Sequence, residues 1–329
     1  MRYRLYQYVI AINHYNDEMF IIENEIDGVK SELSSIENII NQKNAPVFPF
    51  KAVDKETSNL TDEEFVKNVE IAQKHCYRGD VFQLVLSRRF EQKFQGDEFN
   101  VYRSLRNVNP SPYLFFFDYG DYKLMGSSPE SQLIIKNGKA IIHPIAGTFK
   151  RTGNLELDLE SAENLKKDPK ENAEHTMLVD LARNDLSILG KNVEVSKLKE
   201  IQFFSHVIHM VSEVVADIAQ NQNPYEMIAT TFPQGTLSGA PKYRAMQLIN
   251  DYEKTSRSFY AGCIGFVGFD GSCNQAIMIR SLLSKNNTLY YQAGAGIVAH
   301  SVSTNELQEV NNKLGALKKA IIKAENIVQ

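Results

Sequence analysis

The sequence predicts an α+β protein in which strands outnumber helices. Strand-like runs often follow one another directly, and this order does not fit a regular alternation of strand and helix. Three glycine-punctuated, β-rich runs fill residues 259–298, and an apolar stripe at helical spacing predicts a final helix over about 304–325. With 329 residues, the chain can form one large domain or two smaller ones.

The first residues of the chain predict a small separate segment. A β-hairpin is expected over 8–22, because two apolar runs flank a polar turn. Apolar residues at helical spacing predict a surface helix over 28–42, and the proline-containing stretch 41–59 predicts a linker. We therefore predict an N-terminal segment of residues 1–59 that packs on a main domain of residues 60–329.

The main domain opens with a helix and continues through groups of strands and helices. Thr61-Asp-Glu-Glu64 is a capping box, which starts a helix that Gly79 ends. The sequence Lys136-Asn-Gly-Lys139 predicts a tight turn that folds residues 133–142 into a hairpin. Further strands are expected over 81–94, 113–118 and 207–215, and helices over 155–167, 169–187, 224–231 and 241–254.

The composition excludes several classes of partner. A net charge of −4 and a pI near 6.0 argue against nucleic-acid binding. No segment resembles a signal peptide, and no apolar run approaches the roughly 18 residues that a membrane span needs. Cys76, Cys263 and Cys273 fit no zinc-ligand spacing and are expected to be free thiols in a reducing compartment. We therefore expect a cytoplasmic protein without nucleic-acid or membrane partners.

Four glutamates at helical spacing form the clearest functional pattern. Glu171 and Glu174 lie three residues apart on one predicted helix, as Glu306 and Glu309 do on another. Side chains with this spacing share one face of a helix. Burying carboxylates is costly without a positive partner, and Mg²⁺ prefers oxygen ligands such as carboxylates. The pattern therefore predicts a magnesium site that holds an anionic substrate.

Helix capping offers another explanation for part of this pattern. Asp168 is a suitable N-cap, and Glu171 then occupies the capping-box position. Glu306 can be a first-turn glutamate that the helix dipole favours. Neither explanation reaches Glu174 or Glu309, which are therefore the stronger ligand candidates.

Three glycine-containing segments are candidate contacts to a ligand. Tyr291–Val298 contains Gly294 and Gly296, whose N–H groups could bind a carboxylate without a Cβ in the way. A tight bend in a sheet is the alternative, and the missing third glycine excludes a dinucleotide fingerprint. Pro144–Thr148 and Phe232–Lys242 both contain Gly-Thr, which suits either a turn or the orientation of a polar ligand.

Two histidines and one arginine could act on a charged substrate. His206 and His209 lie three residues apart in a strand-like run, so they face opposite sides and do not share a metal. One of them could transfer a proton, or either could simply belong to the sheet. Arg280 ends a strand, where its guanidinium could bind a substrate carboxylate or form an ordinary surface pair.

Together with the segments above, a set of motifs extends along the chain from about residue 60. They are Gly79–Phe90, Asn109–Tyr113, Gly126–Glu130, Pro144–Thr148, Glu171–His175, Leu178–Leu186, Phe232–Lys242 and Gln292–Val298, with Glu306, Glu309 and Lys313. In their residues and their order these motifs resemble the chorismate-utilising enzymes, and most closely the synthase subunits of anthranilate synthases. The family fold has two orthogonally packed antiparallel sheets flanked by helices, so the resemblance implies this α+β fold. The usual N-terminal Leu-Leu-Glu-Ser segment, part of a tryptophan feedback site, has no counterpart in residues 1–60, so the resemblance implies no inhibition by tryptophan.

The resemblance implies a role for each matching residue. Glu174 and Glu309 resemble direct ligands of Mg²⁺, with Glu171 and Glu306 beside them, partly through water. The implied catalytic residues are Glu130 as a general acid with a raised pKa, His209 for a later loss of pyruvate, and Thr236. The implied substrate-binding residues are Gln83, Gly147, Thr148, Tyr260, Arg280, Gly294, Gly296 and Lys313, of which Tyr260 and Arg280 would hold the enolpyruvyl carboxylate.

The reaction that the resemblance implies has two stages. Ammonia adds at C2 of chorismate while the C4 hydroxyl leaves, and the resulting aminodeoxyisochorismate then loses pyruvate to give anthranilate. A separate glutamine amidotransferase subunit would supply the ammonia, because no such domain is visible in the sequence. Ala146 stands where aminodeoxychorismate synthases carry a lysine, and Gln83 stands where isochorismate and salicylate synthases carry one. An aminodeoxychorismate synthase component, a non-catalytic chorismate-binding protein and an inactive truncated chain are the alternatives.

Overall fold

The computed structural model describes residues 2–42, 46–204 and 207–327, without the side chains of Thr148 and Lys150. Contacts divide the chain into two compact units, residues 1–48 and 49–329. The predicted packing of an N-terminal segment on the main domain stays a prediction.

The first unit consists of a β-hairpin and a short helix. Its elements are β1 (Tyr8–Asn13), β2 (Glu18–Glu23) and α1 (Leu33–Asn41). The two strands pair antiparallel, which confirms the predicted hairpin. The helix begins five residues later than predicted, because Gly28 adopts a φ of +78° in a turn closed by a hydrogen bond from Val29 N to Ile26 O.

The second unit contains the other strands and helices of the described chain. In order they are β3 (Phe50–Ser58), α2 (Asp62–Tyr77), β4 (Gln83–Gly96), α3 (Phe99–Val108), β5 (Tyr113–Asp118), β6 (Lys123–Ser128), β7 (Ser131–Lys136), β8 (Lys139–Ile142), β9 (Ile145–Lys150), α4 (Leu155–Lys167), α5 (Pro169–Ser187), β10 (Lys191–Phe203), β11 (Val207–Asp217), α6 (Pro224–Thr231), α7 (Gly235–Ser238), β12 (Gly239–Ala240), α8 (Lys242–Tyr252), β13 (Cys263–Val267), β14 (Cys273–Ile277), β15 (Ser281–Lys285), β16 (Thr288–Ile297) and α9 (Ser303–Ala324). The predicted helices over 155–167, 169–187 and 224–231 are confirmed as α4, α5 and α6.

The predicted linker over residues 41–59 is wrong from residue 50 onward. Residues 50–58 form β3, which pairs with β4 from Phe50 opposite Gly96 to Ser58 opposite Phe90. Phe50 is buried in the core. This burial and the backbone ladder outweigh the turn signal of the prolines that precede the strand.

Two antiparallel sheets make up the second unit, each with seven strands among the described residues. The first sheet has the strand order β10-β11-β8-β7-β14-β13, and β9 also pairs with β11. The second has the order β12-β4-β16-β15-β6-β5, and β3 also pairs with β4. The paired strands of both sheets run antiparallel. The predicted α+β class with two antiparallel sheets flanked by helices is therefore confirmed.

The helices bury one face against the sheets and thereby fix where their polar residues point. The helices α2, α3 and α9 pack on the second sheet around Phe65, Leu105 and Leu314, and α5 and α6 pack on the first sheet around Val179 and Met227. Each fully buried side chain of this size contributes about 1.5–3 kcal/mol. Because these apolar stripes fix the rotation of α5 and α9, they also fix the direction of the glutamates on both helices.

Candidate active site

The two central strands of the second sheet carry the first group of predicted site residues. β4 and β16 form a continuous ladder that contains Gly294 and Gly296, so the alternative of a tight bend at these glycines is wrong. A Cβ on Gly296 would lie 2.6 Å from Gln83 Nε2, and one on Gly294 would lie 3.1 Å from the Tyr260 hydroxyl. The absence of both side chains therefore makes room for Gln83 and Tyr260 over the sheet.

Glu130 and Thr236 are joined by a hydrogen bond between the two halves of the chain. Glu130 lies between β6 and β7, and Thr236 Oγ1 in α7 donates to Glu130 Oε1 at 3.2 Å. Burial raises the pKa of Glu130 from 4.5 to about 7, although the Thr236 hydroxyl and the charges of Arg280 and Lys313 act in the opposite direction. A carboxyl group with this pKa is partly protonated near neutral pH and can serve as a general acid.

His209, on β11, is held by the backbone of Gly147 in β9. Its Nδ1 lies 2.8 Å from the Gly147 carbonyl oxygen. A carbonyl only accepts, so Nδ1 carries the hydrogen and Nε2 is the acceptor of the neutral ring. Burial lowers the pKa of His209, which is therefore neutral at pH 7, and Phe204 packs edge-on against it at 5.5 Å between ring centroids. A neutral imidazole fixed in this way can take up a proton at Nε2.

Gly147 is a position where the local geometry requires glycine. Its φ of +65° lies in the left-handed region, and a Cβ would lie 2.4 Å from Leu165 Cδ1 and 3.1 Å from Glu171 Oε2. The backbone therefore passes directly between α4 and α5 on its way to the carbonyl that holds His209. The side chain of Thr148 and the whole of His206 lie outside the described residues.

Arg280 and Lys313 bring positive charge to the same region. Arg280 has a left-handed φ of +52° between β14 and β15, a strained conformation that often occurs at functional sites. Burial lowers the pKa of its guanidinium, and among the described residues this group makes no ion pair or hydrogen bond. Lys313 Nζ donates to the Gly294 carbonyl at 2.8 Å and pairs with Glu309 at 2.5 Å. A partly buried guanidinium without a partner among the described residues is well suited to receive an anionic group.

The four predicted glutamates approach one another from α5 and α9. Burial raises the pKa of Glu174, and the negative charge of Glu309 raises it further. The pKa of Glu306 is raised mainly by burial, with Glu309 again adding to the effect. The pKa of Glu171 is raised by burial and then by Glu174. Like charges therefore crowd between the two helices, which a bound cation would relieve.

The capping explanation for Glu171 finds no support in the contacts. Asp168 caps α5 alone, accepting from Lys170 N at 2.8 Å and from Glu171 N at 3.1 Å. The Glu171 side chain makes no capping hydrogen bond among the described contacts. Its carboxylate is therefore available for another partner.

The glutamates fit a magnesium ion by donor type. All four are carboxylates, and Oε2 of the buried Glu306 has no hydrogen-bond partner among the described residues. Within residues 2–42, 46–204 and 207–327, no group of three or more His, Cys, Asp or Glu side chains is close enough to hold a metal ion. Mg²⁺ usually keeps several waters and needs only one or two carboxylates. The donor type of the four carboxylates therefore suits Mg²⁺, and water and substrate oxygens would have to supply most of its ligands.

A buried ion pair next to Thr236 has no counterpart in the sequence-based prediction. Lys242 Nζ donates to both oxygens of Asp185, at 2.7 Å each, and so ties α8 to α5. Asp185 also lines a small cavity beside Glu130 and Thr236. Asp185 lies in the motif Leu178–Leu186 and Lys242 ends the motif Phe232–Lys242, so the family motifs could have pointed to both residues.

Comparison with known proteins decides the family. A sequence profile of the family described as chorismate binding enzyme matches residues 1–319. The chain belongs to this family. It is 44% identical over 320 residues to anthranilate synthase component 1 of Bacillus pumilus, an alignment that covers 96% of this chain and 61% of that protein. It is 47% identical over 275 residues to the protein of the same name from Geobacillus stearothermophilus, covering 83% of this chain and 54% of that one.

A solved structure agrees with this family assignment. The crystal structure of anthranilate synthase component I from Streptococcus pneumoniae is 36% identical and superposes with a TM-score of 0.82, over 95% of this chain and 72% of that chain. The chain therefore has the fold of the chorismate-utilising enzymes, as its motifs implied. It spans 61% and 54% of the length of the two curated relatives above. No helix of the described residues is long and apolar enough to cross a membrane.

Proposed function

We propose that this chain is the synthase component of an anthranilate synthase, which converts chorismate and ammonia to anthranilate and pyruvate. The observation that carries the proposal is Glu130, a carboxyl group with a pKa of about 7 that accepts a hydrogen bond from Thr236 near the charges of Arg280 and Lys313. An acid beside two cations suits a substrate that carries carboxylates and loses a hydroxyl group. The identity to proteins named anthranilate synthase component 1 supports the same assignment.

The two carboxylates of chorismate would meet two different environments. The Arg280 guanidinium would receive the enolpyruvyl carboxylate, because it is partly buried and makes no pair within the described chain. Burial raises the pKa of Tyr260 to about 12, so its hydroxyl keeps its hydrogen and can donate to the same carboxylate. The ring carboxylate would face Glu174 and Glu309, with a cation between the like charges. The substrate is thus held at both ends with its ring next to Glu130.

In the first stage, Glu130 would act in its protonated form. It donates its proton to the C4 hydroxyl, the C4–O bond breaks, water departs, and the nitrogen of ammonia forms a bond at C2. Glu130 is left as a carboxylate, which the Thr236 hydroxyl and the charges of Arg280 and Lys313 stabilise. The contacts that oppose the rise in its pKa are therefore the contacts that stabilise the charge it acquires.

In the second stage, His209 would act as a base on aminodeoxyisochorismate. Nε2 of its neutral ring takes the C2 proton, the C3–O bond breaks with release of enolpyruvate, and the ring becomes aromatic. The enolpyruvate then takes up a proton at its methylene carbon and becomes pyruvate. The hydrogen bond from Nδ1 to the Gly147 carbonyl fixes the ring and its tautomer for this step. The lowered pKa keeps Nε2 free of a proton at neutral pH.

Magnesium is the proposed cofactor, and when bound it would hold the ring carboxylate and screen its charge. Glu174 and Glu309 would bind it most directly, and Glu171 and Glu306 would lie beside it, partly through water. Lys313 holds α9 to β16 through the Gly294 carbonyl and so keeps Glu309 in position.

Ammonia would come from a separate glutamine amidotransferase subunit. The relatives carry the name component 1, which fits an enzyme with a second component. Gln83 and the buried Ala146 favour the anthranilate branch over its sisters, because neither side chain supplies an amine. The Gln83 amide instead donates to Glu174 at 3.5 Å, a contact that steadies a proposed metal ligand.

The proposal is tested by incubating the chain with chorismate, Mg²⁺ and ammonium, with glutamine replacing ammonium in a parallel reaction. We expect anthranilate with ammonium and none with glutamine alone. The Glu130→Gln variant should leave chorismate unchanged while keeping the fold, as circular dichroism would report. Formation of 4-amino-4-deoxychorismate alone would assign the chain to the sister branch. Absence of any conversion would favour a chorismate-binding protein without turnover.

A further inference from the structure

A small cavity lies beside the hydrogen bond between Glu130 and Thr236. Its polar lining comes from these two side chains, Asp185 and Gln234, and its remaining walls are mostly apolar side chains of α5 and β8. Its volume of about 10 Å³ gives room for roughly one water-sized molecule. A cavity of this size with four polar side chains in its wall is a candidate site for a single small ligand.

One polar group of this cavity has no partner. Gln234 is 7% exposed, and its Oε1 accepts no hydrogen bond from the described residues. Its neighbours are already engaged, because Thr236 donates to Glu130 and both oxygens of Asp185 accept from Lys242. A buried acceptor without a donor costs free energy, and ordered water is the usual remedy where the site is polar and has room.

We propose that this cavity binds one water molecule, which donates one hydrogen to Gln234 Oε1 and the other to the Glu130 carboxyl group. The site itself follows from the cavity and the unpartnered amide, and only the role given to Glu130 rests on the proposed function. The water gives Glu130 a second hydrogen-bond donor besides Thr236. Donors to the charged form of a carboxyl group oppose the effect of burial, so this water helps to keep the acid able to release its proton.

The variant Gln234→Met tests the acceptor, because it removes the side-chain amide and with it Oε1. Methionine has nearly the same length and removes only the amide group. The backbone contacts remain, since the Gln234 carbonyl accepts from Leu237 N and Ser238 Oγ whatever the side chain is. The matched control is Gln247→Met on α8, where the glutamine is exposed and accepts only from Arg244. Both variants make the same chemical change, and only one touches the cavity.

Crystal structures and urea unfolding of the wild-type chain and both variants test the proposal. We expect a water peak within hydrogen-bond distance of Gln234 Oε1 and Glu130 in the wild type and in Gln247→Met, and none in Gln234→Met. We expect the unfolding midpoint of Gln234→Met to be equal to or below that of the wild type. A dry cavity in the wild type would overturn the proposal. So would a raised midpoint, because removal of an unsatisfied acceptor stabilises a protein.

Neither readout needs turnover of a substrate. A chain that fails to convert chorismate would therefore refute the proposed function and still decide the water site. In an active chain, the pH above which the rate falls should be higher in Gln234→Met than in the wild type, because the carboxylate has lost a donor. An unchanged pH profile would overturn the bridging contact to Glu130.

Discussion

Replacing Glu130 by glutamine should make the protein inactive and, at alkaline pH, more stable. The pKa of this carboxyl group rises from 4.5 to about 7 on folding, chiefly through burial. At about 1.4 kcal/mol per pKa unit, the folded state above pH 7 carries a charge that costs about 3 kcal/mol relative to a neutral side chain. Glutamine removes this charge and can still accept the hydrogen bond from Thr236.

The sign of the pH dependence follows from the raised pKa. The wild-type protein binds the extra proton in the folded state, so its contribution to stability is complete below pH 4.5 and is lost as the pH rises through 7. The free energy of unfolding of Glu130→Gln should therefore exceed that of the wild type by about 3 kcal/mol at pH 8 and by about 1 kcal/mol at pH 5. Urea unfolding at both pH values measures it. A gap that is constant with pH, or a variant less stable than the wild type at pH 8, would refute the reasoning.

Three further predictions concern the proposed metal site, the proposed base and the backbone at Gly147. The magnesium-dependent rate should fall by more than about 100-fold in Glu309→Gln and by about tenfold in Glu171→Gln, because only the first would remove a proposed direct ligand. Magnesium titrations of the rate measure both losses, and equal, small losses would show that these glutamates bind no metal. His209→Ala should accumulate aminodeoxyisochorismate, and chromatography showing undiminished anthranilate would leave His209 a purely structural residue. Gly147→Ala should lower the free energy of unfolding by about 1–3 kcal/mol and abolish most activity, because the new Cβ would clash with Leu165 at a residue with left-handed backbone. Gly138→Ala is the control, since Gly138 has a φ of +72° but open space around it, so this variant measures the backbone strain alone. Equal urea midpoints for the two variants would contradict the packing argument.

Local signals in the sequence located most helices. Asn154, Asp168 and Asn223 cap α4, α5 and α6 with their side chains, and these three helices begin and end where the periodicity predicts. The turn over residues 136–139 is equally local, with Asn137 and Gly138 in the left-handed region that a tight hairpin requires. Each of these features depends on residues only a few positions away in the sequence, so it can be predicted from a single sequence.

Elements that depend on distant partners were not predicted. β3 and β10 carry many charged residues and pair on one side only, with β4 and β11, so their strand character depends on the ladder. β9 likewise has no clear periodic signal of its own. α3 was missed although its apolar residues Val101, Leu105 and Val108 recur at helical spacing. The helix α3 is fixed by burial of Val101 and Leu105 against α9 and the second sheet. Tertiary context decides such elements, and the sequence pattern alone does not contain it.

In the candidate active site, some features were likewise predictable from neighbouring residues, whereas others depend on contacts between residues far apart in the sequence. The i, i+3 spacing predicted which glutamates share a helix face. Only the packing of α5 on the first sheet and of α9 on the second brings Glu309 close enough to raise the pKa of Glu174. The bond between Glu130 and Thr236 joins residues 106 positions apart, and no local pattern reveals it. The carboxylates, the histidine and the arginine could be named from motifs. The raised pKa of the acid and the tautomer of His209 follow only from burial and contacts in the folded chain.

The reaction proposed for this chain is that Glu130 removes the C4 hydroxyl of chorismate while ammonia adds at C2. Mass spectrometry of the products formed from chorismate and isotopically labelled ammonium, with and without Mg²⁺, tests it most directly. We expect labelled anthranilate and an equal amount of pyruvate in the presence of Mg²⁺, with neither product in its absence or with Glu130→Gln. Labelled anthranilate from the Glu130→Gln variant at the wild-type rate would contradict it.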